Sequence, residues 1–241
     1  MQERCNEAST PRNPAPIAFE AVTELRSKDT WTIFRIMAEF VEGFETLQPI
    51  LPAVSIFGGA RVPRDSPVYA LGRDIGRCLG REGFAVITGG GPGAMEAANR
   101  GAHEVEAPSV GLNIKLPFEQ HDNGYADTVI HFDYFFARKV MFVKYACAFV
   151  FLPGGFGTLD ELFECLTLKQ TGKSRDTPII LVGTEFWSGM IQWLESAVVK
   201  QGLIAPKDLR LFSLVDSAAE VCRLVREGWA QRRADLPPAG S

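Results

Sequence analysis

Apolar residues along this chain follow two periods in turn, and that alternation predicts an α/β fold. Short runs that are apolar on both faces read as buried parallel strands at residues 53–57, 84–88, 109–114, 128–132, 147–152 and 178–182, with a late strand near 211–215. Between them, apolar positions recur at helical spacing over 68–81, 135–145, 158–170, 186–200 and 218–228, and through Met95, Ala98 and Ala102. Such a succession predicts a doubly wound, mainly parallel sheet with helices on both faces. Ahead of the first strand, Trp31, Phe34, Met37, Ala38, Val41 and Phe44 share a helical period, and Asp29 is placed to cap a helix running to Leu47. This helix is expected to cover a sheet face within the subunit, with a partner subunit as the alternative. Residues 1–28, with Pro11, Pro14 and Pro16 among polar neighbours, read as a flexible arm. The expected division is an arm at 1–28, a single folded domain at 29–230 and a disordered tail at 231–241, without internal repeats.

Three of the strands run into glycine turns that feed helices. They are Gly58-Gly-Ala-Arg61, Gly89-Gly-Gly-Pro-Gly93 and Pro153-Gly-Gly-Phe-Gly-Thr158. Parallel topology puts all three on the same carboxyl edge of the sheet. Glycines remove the Cβ atoms that would block a ligand, and the unpaired N–H groups and dipole of a helix start favour an anion. One glycine turn is more simply read as a turn, and Thr158 with Glu161 fits a T-x-x-E capping box in which the acid only closes the helix start. Three converging turns favour a nucleotide site. The usual dinucleotide fingerprint is missing, because Gly58-Gly59 lacks G-x-G-x-x-G and Glu96 stands where the third glycine of the second turn belongs. No glycine run leads into Gly-Lys-Ser/Thr either. NAD binding and ATP hydrolysis therefore lose support.

Composition narrows the class further. The 241 residues suffice for one α/β domain with tails, and 46% hydrophobic residues with a net charge of −4 argue against disorder and against a nucleic-acid face. Cys5, Cys78, Cys147, Cys165 and Cys222 lack zinc spacing, and reduced core thiols are expected. His103, His121 and His131 show no metal spacing. Residues 1–5 open no apolar signal region and no run reaches membrane-spanning length, so a cytoplasmic location without membrane contact is expected.

The motifs Gly89-Gly-Gly-Pro-Gly-Ala-Met-Glu96 and Pro153-Gly-Gly-Phe-Gly-Thr-Leu-Asp-Glu161, with Arg138-Lys139 between them, resemble the LOG family of nucleoside 5'-monophosphate phosphoribohydrolases, long labelled "lysine decarboxylase". The resemblance runs over about residues 52–228. It implies a Rossmann-like fold and a homodimer or higher oligomer. It also implies release of a free base and ribose 5-phosphate from a nucleotide such as a cytokinin riboside monophosphate or AMP. By position, Glu161 and Arg138 correspond to the family's catalytic pair, and Gly154, Gly155, Gly157 and Thr158 to its phosphate turn. Gly90, Gly91, Gly93, Lys139 and Asn113 are candidate nucleotide contacts. An oxocarbenium-like transition state needs a carboxylate beside the ribose, and Glu161 lies one helical turn beyond the phosphate turn. No cofactor and no metal are expected. A Schiff-base role for Lys139 finds no pyridoxal site to support it. Asp160 and Glu164 suit the helix dipole, Arg61 either adds to phosphate binding or faces solvent, and Tyr125 with the loop at 119–124 either closes over the ligand or is plain surface. A nucleotide or nucleotide-cofactor carrier or sensor of the same fold is the alternative, and the acid at 161 favours the enzyme.

Overall fold

The computed structural model describes residues 19–116, 122–174 and 176–234, with side chains from residue 30 onward. The chain forms two compact units, Met1–Ala38 and Glu39–Ser241. Helix α1, Phe19–Leu47, begins well before Asp29, so residues 19–28 of the expected arm are helical, while residues 1–18 of it lie outside the described residues. Residues 19–28 contain neither proline nor glycine and favour helix, so nothing forces a start at Asp29, which sits inside the helix. Residues 39–47 of α1 belong to the second unit, within which Leu47 is fully buried and Phe40 lies against the core.

Among the described residues seven strands form one sheet in the order β4-β3-β2-β1-β5-β6-β7, and every pairing is parallel. They are β1 Ala53–Phe57, β2 Ala85–Thr88, β3 Ser109–Ile114, β4 Thr128–Phe132, β5 Ala146–Phe151, β6 Ile179–Val182 and β7 Ser213–Val215. The helices are α2 Pro67–Arg81, α3 Ala94–His103, α4 Phe135–Tyr145, α5 Phe156–Gln170, α6 Thr184–Trp193 and α7 Ala218–Ala234. Helix α6 runs on into a π-helical turn, Leu194–Val199, and α7 reaches into the expected tail. Val54, Ile56 and Val86 on one sheet face bury against α2, α3 and α7 through Ile75, Ala98 and Val221. Phe57, Phe149 and Phe151 on the other bury against α4, α5 and α6 through Phe142, Leu162 and Trp187. The all-parallel sheet explains why these strands are apolar on both sides.

Helices α2 and α3 touch backbone to backbone. A Cβ at Gly76 would come 2.1 Å from the Ala98 carbonyl oxygen, so only glycine permits the approach. Cys78 on α2 is paired as a disulfide with Cys222 on α7, their Cα atoms 6.5 Å apart, which corrects the expectation of reduced thiols. The two cysteines stand 144 residues apart and meet only because both helices cover one face, a fact that spacing along the chain conceals. Cys147 and Cys165 are free and buried. No described helix is long and apolar enough to cross a membrane.

Candidate active site

The strand order reverses between β1 and β5, because β1 leads outward to β2, β3 and β4 before the chain returns to β5 at its other side. The strand ends diverge there and leave a crevice at the carboxyl edge, the general ligand position in open α/β sheets. A cavity of about 590 Å³ occupies that place. Phe57, Gly59 and Arg61 line it from β1 and its turn, Gly89 from the end of β2, Arg138 and Phe142 from α4, and Gly155, Gly157, Thr158 and Glu161 from α5.

The glycine turn at 153–157 is built by close approach. Gly59 donates its backbone N–H to the Pro153 carbonyl at 2.9 Å, and a Cβ at Gly154 would come 2.1 Å from the Thr158 hydroxyl oxygen. Helix α5 starts at Phe156 with Gly155 as N-cap, and no side chain caps it. Its first amides therefore remain available to an anion.

Glu161 does not form the capping box that its spacing from Thr158 allowed. Its side chain is buried, and Oε2 has no hydrogen-bond partner among the described residues. Burial raises its carboxyl to about 7; Glu164 and Asp160 push the same way, while Lys139 and Arg138 oppose. Arg138 lies between the rings of Phe135 and Phe142, its guanidinium carbon 5.3 and 5.6 Å from the centroids. Burial lowers its pKa against the pull of Glu161 and Asp160, its Nε is without a hydrogen-bond partner among the described residues, and the fork reaches Gly89. The cavity thus combines a desolvated acid, a desolvated cation and a helix start, which together could hold a phosphate ester and serve a reaction at the adjoining sugar.

Several candidate residues lie elsewhere. Lys139 bonds Glu164 at 2.6 Å and Asp160 at 2.9 Å, with Glu161 Oε1 at 3.7 Å, along a groove on the outer side of α5. Burial works against its charge, but those bonds and the Glu161 charge outweigh it and raise the lysine pKa. Gly90, Gly91 and Asn113 sit beside the cavity rather than in its wall. Buried Asn113 donates to Asp122, and its Oδ1 faces Gly90. Gly93 packs on the carbonyls of Gly59 and Ala60 and so supports the first turn. Tyr125 meets the His103 ring edge-on, centroids 6.1 Å apart, and lies under the Arg100 guanidinium at 5.7 Å. Residues 119–121 of the loop at 119–124 lie outside the described residues.

A buried polar network behind the second turn escaped the sequence reading. Thr88 donates to Asn99, Asn99 donates to Ser109 at 2.9 Å, and Gly90 N–H donates to Thr88 at 3.0 Å. Asn123 donates its side-chain N–H to Asn99 at 2.9 Å and to the Gly91 carbonyl at 3.2 Å, and its backbone N–H to the Gly90 carbonyl at 3.0 Å. An asparagine on the small-residue face of α3 was the available signal, since a buried amide demands partners.

Residues 95–225, more than half of the chain, match the family model described as "Possible lysine decarboxylase". The chain is 29% identical over 170 residues to the cytokinin riboside 5'-monophosphate phosphoribohydrolase of Mycobacterium tuberculosis, covering 68% of this chain and 88% of that protein. It is 29% identical over 185 residues to the pyrimidine/purine nucleotide 5'-monophosphate nucleosidase of Escherichia coli, covering 72% of this chain and 40% of that longer protein. Among solved structures, a molybdenum cofactor binding protein from Rippkaea orientalis superposes with a TM-score of 0.55 at 21% identity, over 73% of this chain and 96% of that one. That likeness is one of fold. The model match and the relatives so named make this chain a member of the LOG family, to which the lysine decarboxylase description is attached.

Proposed function

We propose that the protein is a nucleoside 5'-monophosphate phosphoribohydrolase that releases a free base and ribose 5-phosphate from a substrate such as AMP or a cytokinin riboside monophosphate. The observation that carries this reading is Glu161, a buried carboxyl whose Oε2 has no hydrogen-bond partner among the described residues, in the same cavity as the open amides at the start of α5. A pure nucleotide binder needs the amides but has no use for a desolvated acid, which destabilises the fold it sits in.

The amides of Gly155 and Gly157 with the Thr158 hydroxyl hold the 5'-phosphate, which sets the ribose one helical turn along α5, beside Glu161. Water adds to C1' as the C1'–N bond breaks. The bonding pair leaves with the base nitrogen, which takes a proton from solvent, and the attacking water gives its proton to the Glu161 carboxylate. The same carboxylate faces the positive charge that grows on the ribose. Arg138 is a fixed cation for the phosphate or the departing base. The pose gives Lys139 no contact with substrate: it acts through Glu161, holding the amino-terminal half of α5 in place through Asp160 and Glu164.

We also place the enzyme with its nucleotide substrate in the cytoplasm, as a homodimer or higher oligomer. Phe135, Phe136 and Val140 on α4 and Phe156 and Phe163 on α5 are exposed, an apolar surface that a second copy would cover. Incubation with AMP, CMP and N6-prenylated AMP, followed by chromatography, tests the function. Free base with an equal amount of ribose 5-phosphate is expected from at least one of them. Tight binding of all three without cleavage would make the protein a carrier.

A further inference from the structure

We propose that Arg61 is a second cationic contact to the substrate phosphate, reaching it from the β1 side of the cavity. The inference rests on the cavity being the nucleotide site. Arg61 lines the cavity, is exposed, and has no carboxylate partner among the described residues. Arg64, three residues on, is by contrast tied to Glu96, at 2.7 Å from Nε and 3.0 Å from Nη2.

That tie fixes the segment carrying Arg61. Glu96 is only 4% exposed and also accepts the Tyr69 hydroxyl at 2.7 Å. Ala94 N–H donates to the Gly59 carbonyl at 3.0 Å, and Gly59 N–H joins the phosphate turn through Pro153. The glutamate that replaces a fingerprint glycine thus clamps the first turn to the start of α3. Arg61 projects from a pinned segment whose backbone touches the phosphate turn itself.

Charge balance gives Arg61 its role. A phosphate ester carries about −1.5 to −2 near neutral pH, and a helix start offers about +0.5. Arg138 shares its cavity with Glu161, which offsets part of its charge once ionised. Lys139 is held by Asp160 and Glu164 outside the cavity. Among the described residues lining the cavity Arg61 is the cation left, and its planar fork suits two phosphate oxygens.

Calorimetric titration of wild type, Arg61→Ala and Arg61→Lys with ribose 5-phosphate, AMP and adenosine tests the proposal. Arg61→Ala is expected to weaken ribose 5-phosphate and AMP alike by about 10- to 100-fold, the range of a charge-assisted bond. Arg61→Lys should recover part of the loss, and adenosine affinity should not change. In turnover the Ala variant should raise KM with kcat within about threefold. Wild-type affinity for ribose 5-phosphate in the Ala variant would overturn the proposal and leave the arginine to solvent. A loss confined to AMP and adenosine would overturn it in favour of a contact to the base. Failure of the wild type to bind either phosphate ester would overturn the nucleotide site together with this inference.

Discussion

Burial lifts the Glu161 carboxyl to about 7, which leaves it half ionised near neutral pH, the condition under which a general base is most effective. The ionised form is the reactive one, so kcat/KM should rise as pH passes through about 7. The same shift has a stability sign. In the folded chain Glu161 keeps its proton from 4.5, its ordinary value, up to about 7, so stability falls across that window, by about 3 kcal/mol in all. Glu161→Gln lacks this loss. It should therefore melt above the wild type at pH 8 and close to it at pH 4 in calorimetric scans; equal melting points at pH 8 would show that the carboxyl is not desolvated. The sequence did not reveal this, because a T-x-x-E spacing serves a capping box and a catalytic acid equally well. Gly155 starts the helix ahead of Thr158, and that start decides between them. Lys139 and Arg138 were not told apart for a related reason: adjacency puts two cations on one helix, but neighbours on a helix point in different directions, here Arg138 into the cavity and Lys139 toward the acids of α5.

At the level of elements, the contact of α2 with α3 bears on the site, because α3 carries Glu96 and the second glycine turn ends at its start. Gly76→Ala would force its methyl into the Ala98 carbonyl, and overpacking of this kind costs about 1–3 kcal/mol. Chemical denaturation should show that loss; an unchanged midpoint would contradict the packing described here. The strands were legible almost to the residue, since an apolar run on both faces has few other readings in a chain of this length. Helix ends were less so. Asp29 offered a cap signal that the helix passes over, and the π-helical turn at Leu194–Val199 continues a period that reads as ordinary α-helix. Local sequence says that a cap is possible, and tertiary packing decides whether it is used.

Across the whole molecule, the order of the strands creates the site. β1 and β5 lie side by side only because the chain leaves and returns around β1, and that reversal brings the first and third glycine turns to one crevice. Alternating strands and helices made this legible in outline, whereas the Cys78–Cys222 pair depends on two helices distant in sequence and had no local mark. The apolar surface of α4 and α5 belongs to this scale as well: light scattering should give a mass of at least two chains, and a monomer at micromolar concentration would remove the proposed interface. The central claim is that a buried acid beside a phosphate turn cleaves the glycosidic bond. The measurement that meets it most directly is base release from AMP by wild type and Glu161→Gln in parallel at pH 8, with AMP affinity measured for both. The account predicts a rate about 10²- to 10⁴-fold lower in the variant, with affinity within a few-fold of the wild type. Full turnover in Glu161→Gln would contradict it.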